Sequence, residues 1–326
     1  MSVTFSGGGV TINGGGWTLT PPPPTAATAG WFGGGYVPGS PSGTNYSIID
    51  RITFATDTGT ATVRGPLSSN RQRLAGAGTF TYGWFGGGLT APAGPSTVYS
   101  TVDRVTYATD SATASIRGPL ASSRYYLAAS SDNTTYGWYG AGDIFSGGGV
   151  AVSNVERITY ASDTATATSR GPLSLARYAL AASSNANYGW FGGGVPVSTV
   201  DRITYATDSA TASVRGPLDS ARWSLFATGN DNYGWFAGGS AGTTVARIDY
   251  ANDTATASVR GPLSVIRNSG GAAGNSTDGW FAGGLNYPTT YSSVDRITYA
   301  TDTATATVRG NLSQGRTLLG ATSGVQ

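Results

Sequence analysis

Short segments in which apolar and polar residues alternate recur along the chain. The segment 200–205, VDRITY, follows the period of two that is typical of a half-buried strand. Segments 178–182 and 188–192 precede it and segment 211–214 follows it, with turn residues at 207–209. The pattern predicts a unit of four short antiparallel strands, which we name A to D in chain order.

This unit occurs six times, and each copy has a Gly-Trp-aromatic signature in strand B and an Arg in strand C. The strand B tryptophans are Trp31, Trp84, Trp138, Trp190, Trp235 and Trp280. The interval from a strand C Arg to the next Trp is always 33 or 34 residues, whereas the interval from Trp to strand C Arg varies from 12 to 20. Four strands in about 40–50 residues are typical of a propeller blade. The sequence therefore predicts an all-β, six-bladed β-propeller with its insertions between strands B and C.

The first and last units complement each other. A strand A pattern is missing before Trp31, and an unused one occurs at 317–321. We therefore predict that the C-terminal strand closes the first blade and so removes the open edges of the ring. This divides the chain into an extended N-terminal arm with a Pro-rich spacer at 1–29 and a propeller at 30–326.

Composition narrows the functions that such a fold can have. The 50 Gly and 15 Pro disfavour long helices, and 39% hydrophobic residues argue against disorder. A net charge of +2 gives no drive towards nucleic acid or an anionic membrane, so we expect neither nucleic-acid binding nor membrane insertion.

Several residue types with common catalytic roles are absent. The chain has no Cys, His or Lys, and Glu156 is its single Glu. These absences exclude thiolate and Schiff-base chemistry and the commonest metal ligand. We therefore expect no catalytic residues, metal or cofactor. The first residues have no basic segment followed by an apolar one, so no signal peptide is predicted.

The repeat resembles the kelch repeat. The matches are the segment 235–239, WFAGG, then Tyr250 with Thr254 before and in the C–D turn, and Pro262 with Arg267 in the crossover. The resemblance implies a kelch-like propeller. The kelch Trp of strand D is replaced by small residues, so we expect the strand B Trp to act as the wedge between blades. An intracellular kelch adaptor would carry partner domains outside the propeller, and this sequence shows none.

A second resemblance is to repeat proteins of tailed phages that infect marine cyanobacteria. It rests on the Gly-Trp-Phe-Gly-Gly-Gly, Val-Asp-Arg-Ile-Thr-Tyr and Thr-Ala-Thr-Ala-Ser strings. It implies a non-enzymatic tail, fibre or capsid-decorating protein located on the virion. Its expected partners are a host-surface glycan and neighbouring virion proteins. The alternatives are a free secreted or cell-surface lectin-like propeller and, less favoured, a glycan-active enzyme.

One face of the predicted propeller is the candidate binding surface. Crossovers from D to A and loops from B to C open on the same face, and variable loops on a rigid scaffold often bind ligands. Each crossover ends in an Arg, which either forms part of an anion site at the mouth of the axial channel or bonds carbonyls of its own crossover. These arginines are Arg71, Arg124, Arg177, Arg222, Arg267 and Arg316. The insertions add Tyr36, Tyr46, Tyr99, Phe145, Tyr287 and Tyr291.

The remaining repeated charges are expected to have structural roles, and the N-terminal arm is expected to attach the propeller to partners. The strand C arginines are expected to reach an acid or carbonyl on the adjacent blade, and the C–D turn aspartates to form Asx turns. The arm carries Phe5, Val10, Ile12 and Trp17, which we expect to attach the propeller to other virion proteins by adding a strand to a partner sheet. The alternative for the arm is a disordered tail.

Overall fold

The computed structural model describes residues 10–13, 16–19, 27–39, 43–90, 96–144 and 149–323. Within these residues six four-stranded antiparallel sheets form a closed ring, as predicted. Each innermost strand contacts the innermost strands of both neighbouring blades, and the last contacts the first. The strands Val10–Asn13 and Gly16–Leu19 form a separate two-stranded hairpin.

Each blade has the strand order A-B-C-D from the axis outwards, beginning with the blade that contains Trp31. Strands A are Gly320–Ser323, Ala75–Gly78, Ala128–Ser131, Ala181–Ser184, Phe226–Gly229 and Gly271–Gly274. Strands B are Ala29–Gly33, Tyr82–Gly86, Tyr136–Gly140, Tyr188–Gly192, Tyr233–Ala237 and Asp278–Ala282. Strands C are Ile49–Thr53, Val102–Thr106, Val155–Thr159, Val200–Thr204, Val245–Asp249 and Ser293–Thr298. Strands D are Thr62–Arg64, Ser115–Arg117, Thr168–Arg170, Ser213–Arg215, Ser258–Arg260 and Thr307–Asn311.

Shorter elements connect the strands. A single turn of 3₁₀-helix follows each strand C, at Phe54–Thr56, Tyr107–Thr109, Tyr160–Ser162, Tyr205–Thr207, Tyr250–Asn252 and Tyr299–Thr301. Three B–C connections contain hairpins, formed by Tyr36–Val37 with Thr44–Asn45, Leu89–Thr90 with Thr97–Val98, and Leu285–Asn286 with Thr289–Thr290. A further 3₁₀ turn, Gly239–Ala241, lies in another B–C connection.

The predicted closure of the ring is confirmed. Gly320–Ser323 pairs antiparallel with Ala29–Gly33 and supplies strand A of the first blade. The strand begins later than predicted, because Leu318 has a φ of 59° and cannot continue an extended strand. The same correction applies in the fourth blade, where Ala179 has a φ of 57° and strand A begins at Ala181 rather than at residue 178.

The core lies between blades, where each strand B Trp packs on an aromatic ring of the following blade. Trp190, for example, stacks on Tyr250 with ring centroids 3.7 Å apart and planes at 3°. The six tryptophans are 0–5% exposed. The predicted role of these residues as wedges is thus seen directly, and the last one, Trp280, stacks on Phe54 of the first blade.

The described part of the chain contains no helix with the length and apolar character that crossing a membrane requires. It also contains no cluster of three or more acidic residues that is arranged to hold a metal ion.

Candidate functional site

The structure places the six crossover arginines inside the blades rather than at an open mouth. All six are 0% exposed. Arg177 pairs with Asp201 of strand C in its own blade at 2.9 Å and donates to the carbonyl oxygen of Phe191 at 2.9 Å. Burial lowers the pKa of Arg177, and Asp201 opposes this shift. The predicted solvent-facing anion site is therefore wrong, and so is the alternative, because the carbonyl that Arg177 bonds belongs to strand B and not to its own crossover.

Equivalent ion pairs occur in the other blades, with one substitution of partner. The pairs are Arg71–Asp103, Arg124–Glu156, Arg267–Asp295 and Arg316–Asp50. In the fifth blade the acid of strand C is replaced by Ala246, and Arg222 pairs instead with Asp219 of its crossover. A carboxylate therefore lies beside this buried guanidinium as well, which avoids the cost of an unpaired buried charge.

The turn aspartates connect blades and are not primarily Asx-turn residues. Asp253 accepts hydrogen bonds from Trp190 Nε1 at 2.8 Å and from the strand C residue Arg202 at 2.9 Å, both on the preceding blade. This arrangement confirms that strand C arginines reach an acid on the adjacent blade. At the closure, burial alone would raise the pKa of Asp57, but hydrogen bonds from Arg309 and Trp280 outweigh it and hold that pKa below its ordinary value.

The predicted aromatic residues of the insertions fall into distinct groups. Tyr46, Tyr99 and Tyr291 lie beside the buried crossover arginines, with the guanidinium of Arg267 5.3 Å from the ring centre of Tyr291. Tyr287 projects from its hairpin with 83% of its surface exposed, and Tyr36 lines a cavity described below. Phe145 and Phe5 lie outside the described residues, and Val10, Ile12 and Trp17 are described only as part of the hairpin pairing.

The B–C insertions and the D–A crossovers share one face, which we call the insertion face. Tyr36 N donates to Thr317 O at 2.8 Å, and Leu89 N donates to Gln72 O at 2.9 Å, so hairpin and crossover pair directly. Half of the large hydrophobic residues that are exposed in the described part of the chain lie here, and the other half lie on the outer strands D. Those of the insertion face are Ile144, Val150, Trp223, Ile266 and Tyr287.

A ring of six residues, which we call the inner rim, surrounds the axis at this face. Its members are Arg73, Tyr126, Ala179, Ser224, Ser269 and Leu318. Each has a φ between 56° and 60°, and each backbone N–H donates to the carbonyl of the preceding member at 2.6–2.9 Å, so the six bonds form a closed circle. This circle of peptide groups fixes the rim and presents its side chains to the space above.

A cavity of about 470 Å³ lies over the inner rim. Its lining includes rim and crossover residues together with Tyr36 and Leu285 of two insertions. Trp223 lines it with 43% of its surface exposed, and the guanidinium carbon of Arg73 lies 4.4 Å from the ring centre of Tyr126. A cavity of this volume with aromatic walls and a few polar groups has the properties of a small-molecule site.

Beside the rim, Tyr125 and Asp143 form a buried polar pair. Burial, followed by the negative charge of Asp143, raises the pKa of Tyr125 to about 12. The nearby Arg73, with its guanidinium carbon 5.6 Å from the ring centre, opposes this shift only partly. Tyr125 is therefore a neutral phenol at pH 7 and is not an activated nucleophile.

Among the described residues, Tyr36 is the one predicted binding residue that lines this cavity, and the other lining residues were not predicted, although a signal for them exists. Arg73 is the one Arg of the chain outside the repeat pattern. The two residues after each crossover Arg also differ from blade to blade, whereas the Arg itself is constant. Trp223 and Asn268 occupy such positions, and both line the cavity.

Comparisons with known proteins support the fold. Neither the family models nor the curated proteins include a match to this chain. A solved structure titled "Structure of YjhT" is similar with a TM-score of 0.66 and 12% identity, covering 88% of this chain and 98% of that one. At this identity the similarity shows the propeller fold alone.

Proposed function

We propose that this protein is a non-enzymatic binding propeller that holds a saccharide in the cavity over its inner rim. The observation that carries the proposal is the cavity of about 470 Å³ on the insertion face, walled by exposed aromatic surface and by hydroxyl and amide groups. Trp223, Tyr36 and Tyr126 offer apolar faces to a sugar ring, while Ser224 and Asn268 offer hydrogen-bond partners to its hydroxyls.

A binding role fits the groups near the cavity better than catalysis does. Tyr125 is a neutral phenol at pH 7, as shown above. Glu156 is buried against Arg124 and accepts a hydrogen bond from the backbone of Ala121 at 2.7 Å. A carboxylate held in this way has no free access to a substrate, so the glycan-active enzyme remains the less favoured alternative.

Whether the protein is part of a virion or is free is a separate part of the proposal. The resemblance to phage repeat proteins supports a virion protein that carries this propeller through its N-terminal arm, with the free lectin-like protein as the alternative. Neither the fold nor the cavity depends on that choice. Following the chain during sedimentation of intact particles tests it, since a virion protein sediments with the particles until they are disrupted.

Trp223→Ala tests the location of the site. We expect oligosaccharides that bind the wild-type chain on a glycan array to bind this variant at least tenfold more weakly in calorimetry, because a half-exposed Trp is a typical binding hot spot. Tyr287→Ala is the matched control, since that aromatic residue is exposed on the same face but does not line the cavity.

Two results would count against the proposal. If no saccharide binds the wild-type chain, the ligand is not a glycan. If Tyr287→Ala weakens binding and Trp223→Ala does not, the site lies on the hairpin tips instead.

A further inference from the structure

The inner rim differs from the rest of the repeat in being chemically irregular. The pairs of residues that follow the crossover arginines are Gln72-Arg73, Tyr125-Tyr126, Tyr178-Ala179, Trp223-Ser224, Asn268-Ser269 and Thr317-Leu318. The residue after each pair is Leu in five blades and Gly270 in the other. These two positions thus vary beside a constant Arg, and eight of their twelve residues line the cavity.

The backbone conformation of the rim makes this variation informative. Every rim residue lies in the left-handed region, where Gly carries no steric penalty and other residues do. The chain contains 50 Gly, but none of them occupies any of the six rim positions. Strained residues that the surrounding structure holds in place often serve binding or catalysis. The rim therefore retains side chains at a cost in stability, which indicates that the side chains have a use.

Arg73 is the one charged side chain of the rim, and Asp143, the acid that acts with it on Tyr125, hydrogen-bonds that phenol. All nineteen arginines and all seventeen acids lie in the described part of the chain, and every Arg except Arg73 forms an ion pair there. Arg73 is half-buried and stacks over Tyr126, a contact that positions the guanidinium without using an N–H donor. No acidic residue lines the cavity.

The opposite side of the rim is neutral and polar. In the six-membered ring Ser224 lies three positions from Arg73, and Ser269 is its neighbour. Asn268 and Thr317 line the same cavity. These groups donate and accept hydrogen bonds and carry no charge.

We propose that the ligand of this cavity is a carboxylate-bearing saccharide, whose carboxylate binds Arg73 and whose hydroxyls bind the Ser224 side of the rim. The inference rests on the proposed function and specifies its substrate class. The planar guanidinium matches a carboxylate in a two-point contact. A single guanidinium, with no second cation in the lining, matches the one charge of a carboxylate better than the double charge of a phosphate.

The test compares ligands that differ only in the acidic group. Binding of tri-galacturonate, its carboxyl-reduced counterpart and a sulfated galactose trisaccharide is measured by calorimetry with the wild-type chain, Arg73→Met and Arg73→Lys. We expect the wild type to bind tri-galacturonate about 10- to 100-fold more tightly than the neutral trisaccharide, as one charge-assisted contact predicts. We expect Arg73→Met to remove that difference, so that acidic and neutral trisaccharides bind this variant equally, and Arg73→Lys to retain part of it.

The outcomes separate this inference from the proposed function. Equal binding of acidic and neutral trisaccharides, or a preference that survives Arg73→Met, overturns the carboxylate and leaves the saccharide site intact. Preference for the sulfated sugar through Arg73 also overturns it, in favour of a sulfate ester. Binding of none of the three, and of no other saccharide, overturns both. Unchanged thermal unfolding of Arg73→Met verifies that a loss of binding is not a loss of fold.

Discussion

At the residue scale, charged side chains in this protein are mostly buried structural groups. Arg177 and Asp201 are both 0% exposed, and Ser174 N also donates to Asp201 Oδ2 at 3.0 Å. The repeated Arg, which looks like a binding residue in the sequence, thus neutralises a repeated Asp inside the blade. Arg73 lacks such a carboxylate, and this difference distinguishes a site residue from a structural one.

Asp201→Ala tests that assignment. We expect the free energy of unfolding to fall by about 3–5 kcal/mol, because the variant leaves the Arg177 guanidinium buried without a counter-charge. The double variant Arg177→Met with Asp201→Ala is expected to lose less, since it removes the unpaired charge as well. Denaturant unfolding monitored by Trp fluorescence measures both. A loss below about 1 kcal/mol in Asp201→Ala would contradict a structural ion pair.

At the element scale, the segment before strand A contains both a buried structural residue and a residue of the inner rim. The crossover Arg is buried, the second residue after it belongs to the inner rim, and the strand follows. Because the second of these residues is left-handed, strand A starts about three residues later than alternation alone predicts, as at Ala181.

Ala179→Gly measures the cost of this geometry. Ala179 has a φ of 57° and is buried, so we expect the variant to be as stable as the wild type or up to about 1 kcal/mol more stable. Ala182→Gly is the control, because Ala182 lies within strand A, where the same change is expected to cost about 0.5–1 kcal/mol. Thermal unfolding compares the two. Equal destabilisation by both would show that the rim is not strained.

The sequence predicts the fold well and the site poorly, for one physical reason. Strands are specified by alternation and repeated turns, so Tyr188–Gly192 and the closure by the C-terminal strand are predictable from residues alone. Whether a charged side chain is buried depends on a partner that the fold brings close to it. The burial of Arg71 could therefore not be predicted from its place in the repeat. The site lies where the repeat varies, and Arg73 and Trp223 therefore have no periodic pattern to reveal them.

At the scale of the whole molecule, the ring joins both ends of the described propeller in one blade. The junction includes pairing of Phe32 with Ala321, the buried ion pair of Arg316 with Asp50, and the donation from Trp280 to Asp57 at 2.7 Å. Leu318 also contributes one bond to the closed circle of the inner rim. Cavity, rim and core therefore depend on the same terminal segment.

Deletion of residues 316–326 is expected to open the ring. It exposes the edge of strand B at Ala29–Gly33 and leaves Asp50 buried without its Arg partner, and an exposed strand edge favours aggregation. We expect the truncated chain to aggregate, to melt at a lower temperature and to lose ligand binding at the rim. Deletion of 324–326 alone is the control, because it keeps the closing strand Gly320–Ser323. Analytical ultracentrifugation and thermal unfolding distinguish the two. A monomeric 316–326 deletion with an unchanged melting temperature would show that closure does not stabilise the ring and that each blade holds its own core.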